Sequence, residues 1–126
     1  MEPTPPFHIL IADDDPSSCL ILSGFLRKQG FQVAVANNGT SAWEMLQQTL
    51  PQVLLMDVMM PGLSGVEVLE RLQCNNLGRD MNIFMITGRD SAEEINQMRA
   101  LGATEVLNKP IDIKSLLERL NRLRPS

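Results

Sequence analysis

The chain of 126 residues contains no tyrosine, only two cysteines and no apolar run long enough to cross a bilayer. The missing apolar run excludes a membrane-spanning segment. Both cysteines, Cys19 and Cys74, fall in helix-like stretches and read as small core fillers of a protein kept in a reducing compartment. The amino terminus, Met1-Glu2-Pro3-Thr4-Pro5-Pro6, lacks the basic region and apolar stretch of a secretory signal, so a cytoplasmic location is expected. There is no surplus of positive charge either. A net charge of −4 at pH 7 and scattered arginines leave no broad basic patch, which argues against direct nucleic-acid binding. No repeat, low-complexity tract or interdomain linker is visible. The expectation is one domain over residues 1–126, with residues 1–6 as a flexible tail, large enough to bury a core without disulfides or a structural metal.

What is present is a strict alternation of strand-like and helix-like segments. The apolar run Phe7–Ala12 is followed by Pro16 at a permitted helix-start position and a helix over Ser17–Gln29 that Gly30 ends. Phe31–Ala36 alternates like a strand, Asn37-Asn38-Gly39 turns, and Thr40–Gln48 gives a short helix with Thr40 as its cap. Val53–Met56 is apolar throughout, as in a parallel strand buried on both faces. Val66, Leu69 and Leu72 carry a third helix, Ile83–Ile86 a fourth strand, and Ala92–Leu101 a fourth helix with Ile95, Met98 and Leu101 inward. Glu105–Asn108 is a short fifth strand. Asp112 caps a last helix with the stripe Ile113, Leu116, Leu117, Leu120 and Leu123. Five strands alternating with five helices through right-handed crossovers make an α/β fold, a three-layer α/β/α sandwich around a parallel sheet.

Short polar residues stand at the ends of four of these strands: Asp13, Asp14 and Asp15, then Asp57, Thr87 and Lys109. In such a fold they converge at the carboxyl edge of the sheet, where open α/β proteins place their sites. Three carboxylates crowded at one edge repel one another and are tolerable chiefly around a hard divalent cation. Asp13, Asp14 and Asp57 therefore read as a metal site suited to Mg²⁺, with Mn²⁺ as the alternative. Asp15 suits a solvated residue in a helix first turn.

Ile9-Leu10-Ile11-Ala12-Asp13-Asp14-Asp15-Pro16, Leu54-Leu55-Met56-Asp57-Val58-Met59-Met60-Pro61-Gly62-Leu63-Ser64-Gly65, the strand-ending Thr87 and Asn108-Lys109-Pro110 together resemble the receiver domain of two-component response regulators, in order and spacing over nearly the whole chain. The resemblance implies a flavodoxin-like doubly wound sheet of strand order 2-1-3-4-5. It implies a metal held directly by Asp14 and Asp57, by Asp13 often through water, and by the backbone carbonyl of Met59. It makes Asp57 the nucleophile, forming a 4-aspartylphosphate, with the metal and the Lys109 ammonium neutralising the transferring oxygens. A surface lysine is the bland alternative for Lys109. The resemblance also implies a cis Lys109–Pro110 bond, which sequence alone shows only to be affordable. Thr87 becomes the hydroxyl that swings toward the phosphoryl group; otherwise it is a structural strand-end threonine. Gly88 leaves the site open. Met59 and Arg89 sit where receivers vary and tune hydrolysis; an incidental methionine and a solvated arginine are the plain alternatives.

One departure concerns the readout. Receivers commonly carry an aromatic residue three positions before the lysine, whereas this chain has Val106, so no ring relays the signal there. The output is expected to run through the loop from Thr87 to Ser91 and the fourth helix. Leu20, Ile21 and Gly24 fall on an outer face of the first helix that is unusually apolar. The resemblance makes that face the docking surface for a sensor histidine kinase or histidine phosphotransfer protein. The last helix turns Lys114, Glu118, Arg119, Arg122 and Arg124 outward, either solvated or paired across a homodimer through the fourth helix, fifth strand and fifth helix. An output domain or effector protein completes the expected partners. The activity is a switch that catalyses its own phosphorylation and slow dephosphorylation. The rival readings are a haloacid-dehalogenase-like phosphatase with Asp13 as nucleophile, and an interaction module independent of phosphorylation.

Overall fold

Val53-Leu54-Leu55-Met56 is apolar at every position because the strand it forms, β3 (Val53–Asp57), lies mid-sheet with helices over both faces. The computed structural model describes residues 7–88 and 91–124. Around β3 it arranges β1 (His8–Ala12), β2 (Gln32–Ala36), β4 (Asn82–Thr87) and β5 (Glu105–Asn108), all parallel, in the order β2-β1-β3-β4-β5. The helices are α1 (Pro16–Lys28), α2 (Gly39–Gln48), α3 (Gly65–Cys74), α4 (Ala92–Ala100) and α5 (Ile113–Leu123). This is the three-layer sandwich and strand order expected.

Successive strand residues point to opposite faces, and the two cores follow that alternation. Ile9, Ile11, Leu55 and Phe84 pack beneath α1 and α5 with Leu26, Leu116 and Leu120. Leu10, Leu54, Met56 and Met85 pack beneath α2, α3 and α4 with Leu46, Leu69 and Met98. Each side chain in these layers is at least nine-tenths buried, so β3 and β4 have no freedom to shift.

Every helix begins on a short polar cap. Asp15 accepts the Ser17 N–H at 3.0 Å with Pro16 in the first turn of α1, and Asp112 accepts the Ser115 N–H at 3.3 Å. Ser91 accepts the Glu94 N–H at 3.2 Å. Ser64 and Glu67 form a reciprocal box at α3, each side chain accepting the other's backbone N–H at 3.2 and 3.1 Å. The cap of α2 is Asn38, not Thr40: its extended backbone and Oδ1, 2.7 Å from the Ser41 N–H, start the helix one residue early.

Several outward and inward assignments change. Cys74 is exposed at the end of α3, and Val68 takes the buried place in the stripe while Val66 is half-buried. Leu123, at the end of α5, is more exposed than the rest of its stripe, with 37% of its surface open to solvent. Arg124 does not face solvent freely. Its guanidinium lies 4.1 Å over the Phe31 ring and donates to the Gln29 carbonyl at 2.8 Å, joining the end of α5 to the end of α1. Arg119 pairs with Glu105 on β5. Residues 1–6, assigned to a tail, lie outside the described residues, as does Arg89.

The two thiols should therefore behave differently. Cys19 is buried, its Sγ–H donates to the Asp13 carbonyl at 3.2 Å, and burial beside the Asp13 and Asp15 carboxylates pushes its pKa up to about 11. Native protein treated with iodoacetamide near pH 8 is expected to label at Cys74 alone, with Cys19 reacting only after unfolding. Equal labelling of both would contradict this packing.

Candidate functional site

The carboxyl ends of β1, β3, β4 and β5 meet at one edge, and their backbones fix the stagger of the side chains that follow. Val58 N–H donates to the Ile86 carbonyl at 3.0 Å and Lys109 N–H to the Thr87 carbonyl at 2.8 Å. Asp13 N–H donates to the Ala36 carbonyl at 3.0 Å, which ties the acidic turn after β1 to β2. The peptide bond between Lys109 and Pro110 is cis.

Asp57, the last residue of β3, is only 3% exposed. One of its oxygens, Oδ2, is 2.7 Å from the Lys109 Nζ; the other, Oδ1, accepts the Met59 N–H at 3.2 Å. Asp13, half-buried, and Asp14, exposed, lie beside it, and one carboxylate oxygen from each of the three falls within 4.8 Å of the others. Asp13 Oδ1 also accepts the Asp15 N–H at 2.9 Å. Burial raises the Asp13 pKa and repulsion from Asp57 and Asp14 adds to it, while the Asp15 N–H and Lys109 oppose it. The hydrogen bond to Asp57 holds the Lys109 ammonium above the ordinary lysine value despite partial burial. Asp15 stands apart: the Ser18 hydroxyl and Ser17 N–H keep its exposed carboxyl below the usual range, as befits a helix cap.

Thr87 ends β4 one position beyond the partner of Asp57 and is 3% exposed. A Cβ built at Gly88 would meet nothing within 4 Å, so the residue after Thr87 leaves open space. The Met59 side chain is exposed at the same edge. Beside the carboxylates runs an open groove of about 530 Å³ between α1 and the start of α5, lined by Ile21, Leu22, Lys109, Pro110, Ile111 and Ile113. Leu20 and Ile21 are 73% and 64% exposed on α1, the outward placement read from the sequence.

The donor set is all oxygen, anionic and clustered, which is the chemistry Mg²⁺ takes up. The residues present therefore fit a hard divalent cation. Two features of the edge escaped the sequence reading. The Ser64–Glu67 box carries the S-x-x-E signature and was legible. Gly65, whose added Cβ would fall 2.4 Å from the Asp57 carbonyl oxygen, has no local signal beyond being glycine.

Because three carboxylates share the edge with one ammonium, neutralising one of them relieves repulsion in metal-free protein. Asp13→Asn retains the acceptor for the Asp15 N–H. It is expected to raise unfolding free energy in EDTA by about 0.5–1 kcal/mol, a modest gain because solvent screens a half-buried group. Urea denaturation with and without Mg²⁺ checks this, and the gain should shrink or reverse with Mg²⁺.

A family model described as the response regulator receiver domain matches residues 9–121. Protein PilH of Pseudomonas aeruginosa is 34% identical over 114 residues, which cover 90% of this chain and 94% of PilH. Response regulator MprA of Mycobacterium leprae is 38% identical over 116 residues, 92% of this chain; this chain spans only 50% of its length. Among solved structures, the receiver domain of the Francisella response regulator 1452 superposes with a TM-score of 0.85 at 28% identity, covering 92% of this chain and 94% of that one. Receiver domains of this family interact with histidine kinases or phosphotransfer proteins and with output domains, and they bind Mg²⁺ at an acidic pocket. The sheet order, the acidic edge and these matches agree: this chain belongs to the response regulator receiver domain family of two-component systems.

Proposed function

We propose that Asp57 accepts a phosphoryl group from a phosphohistidine on a sensor kinase or phosphotransfer protein. The observation that carries this reading is the Asp57 carboxylate, buried at a strand end, with an ammonium at 2.7 Å and two further carboxylates around it. An Asp57 oxygen attacks phosphorus, the P–N bond to the donor imidazole breaks as the P–O bond of an acyl phosphate forms, and the electron pair leaves with the imidazole. Lys109 turns from the Asp57 oxygen to the phosphoryl oxygens and neutralises charge there. Asp13, Asp14, Asp57 and the Met59 carbonyl would hold Mg²⁺, or Mn²⁺ in its place, which would neutralise the remaining charge on those oxygens. Thr87 donates its hydroxyl to a phosphoryl oxygen, and hydrolysis of the acyl phosphate resets the switch.

The whole of residues 1–126 acts as one receiver unit in the cytoplasm. The groove beside Lys109 and the exposed Leu20 and Ile21 receive the phosphohistidine donor. The α4–β5–α5 face meets an output domain, an effector or a second copy of the chain. The phosphatase alternative, with Asp13 as nucleophile, is not favoured: Asp13 lacks the close ammonium that Asp57 has.

Incubation with acetyl phosphate and Mg²⁺ is expected to add one phosphoryl mass to the intact protein. Peptide mapping after borohydride trapping should place it on Asp57, with no addition to Asp57→Asn or in EDTA. A label on Asp13 would overturn the assignment in favour of the phosphatase reading.

The readout is separately testable. In backbone NMR, beryllofluoride with Mg²⁺ is expected to shift Thr87, Gly88, Ser91 and α4 more than α2 or α3. Shifts that spare α4 would remove the proposed route of output.

A further inference from the structure

Met59 supplies its N–H to Asp57 and, on the proposed function, its carbonyl to the metal, yet its side chain is exposed and anchors nothing. Something else must hold the loop Val58–Ser64 in place. At one end Gly65 N–H donates to the Val58 carbonyl at 2.8 Å, closing the loop onto the end of β3. Next to Met59, the Met60 side chain is buried in the core. The apex, Pro61–Leu63, rests on the first turn of α2. There Gly39 N–H, one of the unpaired donors at a helix start, donates to the Pro61 carbonyl at 3.2 Å.

The approach at Gly39 is closer than any side chain allows. A Cβ on Gly39 would lie 1.6 Å from the Leu63 carbonyl oxygen, 2.5 Å from its carbon and 2.9 Å from its Cα. All three are backbone atoms, so no rotamer change clears the space. Gly62 adds a second close approach, with φ of +79° and a would-be Cβ 2.6 Å from Thr40 Oγ1. The β3–α3 loop is thus seated on α2 by direct backbone contact, and an added methyl at Gly39 must push the loop as a body.

We infer that Gly39 is a positioning residue for the metal and phosphoryl site: its bare Cα lets α2 seat the Pro61–Leu63 backbone and so sets where Met59 presents its N–H and carbonyl beside Asp57. Gly39 touches none of the reacting groups and acts through the loop. The inference rests on the proposed role of the Asp13, Asp14 and Asp57 cluster, and deepens it.

The test reads metal binding directly. By calorimetry, Gly39→Ala is expected to bind Mg²⁺ about tenfold more weakly than wild type, as loss of a supporting contact behind a ligand does. Leu46→Ala lowers the thermal midpoint by opening a cavity in the same helix and should leave Mg²⁺ affinity unchanged. A second measurement needs no variant: Mg²⁺ should slow amide exchange at Gly39 in the wild-type chain, because loop seating and metal binding favour each other reciprocally. Unaltered Mg²⁺ affinity in Gly39→Ala, an equal loss in Leu46→Ala, or Gly39 exchange indifferent to bound Mg²⁺ overturns the inference alone. Wild-type protein that binds no Mg²⁺ overturns the metal reading itself and this inference with it.

Discussion

The contact of Lys109 with Asp57 at 2.7 Å is the interaction around which the carboxyl edge of the sheet is arranged. Like charges about 4 Å apart repel by about 1 kcal/mol in water and about 4 kcal/mol at the effective dielectric of a protein surface. Three carboxylates within 4.8 Å of one another therefore strain the edge, and the single ammonium balances only one of them. What remains is a fixed surplus of negative charge at the sheet edge. Such an edge would be most stable with a bound cation, and on the proposed function a cation there would lie where an incoming phosphoryl group brings further negative charge. Structural cost and chemical capacity thus have the same origin.

The sheet makes that arrangement rigid. Asp57 is the one charged residue of β3, and the four residues before it are completely buried between two helical layers. Its backbone follows the strand register, with Met56 opposite Ala12 of β1 and Asp57 opposite Ile86 of β4. Lys109 arrives from the far side of β4, and its backbone N–H is pinned to the Thr87 carbonyl. Asp57, Thr87 and Lys109 are therefore carried at the ends of three adjacent parallel strands. The groups around them come from loops, whose support is less even: Asp13 is tied to β2 through Ala36, and Met59 through the apex of its loop to α2.

The strands and the polar residues that end them were legible in the sequence because they depend on local periodicity, whereas the strand order and the roles at the edge came with the resemblance to receiver domains. Continuous apolar runs mark strands buried on both faces, and a charge at the end of such a run marks the sheet edge. The features that were not legible depend on neighbours distant in the chain. Asn38 and Thr40 are both acceptable caps, and the helix takes Asn38, whose side chain accepts the Ser41 N–H. Arg124 looks like one more outward cation of α5 until the end of α1 brings Phe31 beneath it. Cys74 has a composition suited to a core and a position past the last buried turn of α3. Gly39 and Gly65 read as turn and loop punctuation, although the backbone of another segment lies where their side chains would be.

Val106 bears on how the site communicates. It sits half-buried on β5 opposite Met85, and a valine has one strongly preferred side-chain rotamer, so it has no ring to turn between a buried and an exposed place. Lys109 N–H holds the Thr87 carbonyl on the β5 side. Ser91 is the cap of α4, and α4 is the helix with the thinnest anchorage: Met98 alone is fully buried, with Ile95 and Leu101 half-buried at its flank. An element with so little buried apolar surface shifts at lower free-energy cost than α3 or α5. On the proposed function, the missing aromatic relay therefore makes α4, the helix with the least buried apolar surface, the expected outlet of the switch.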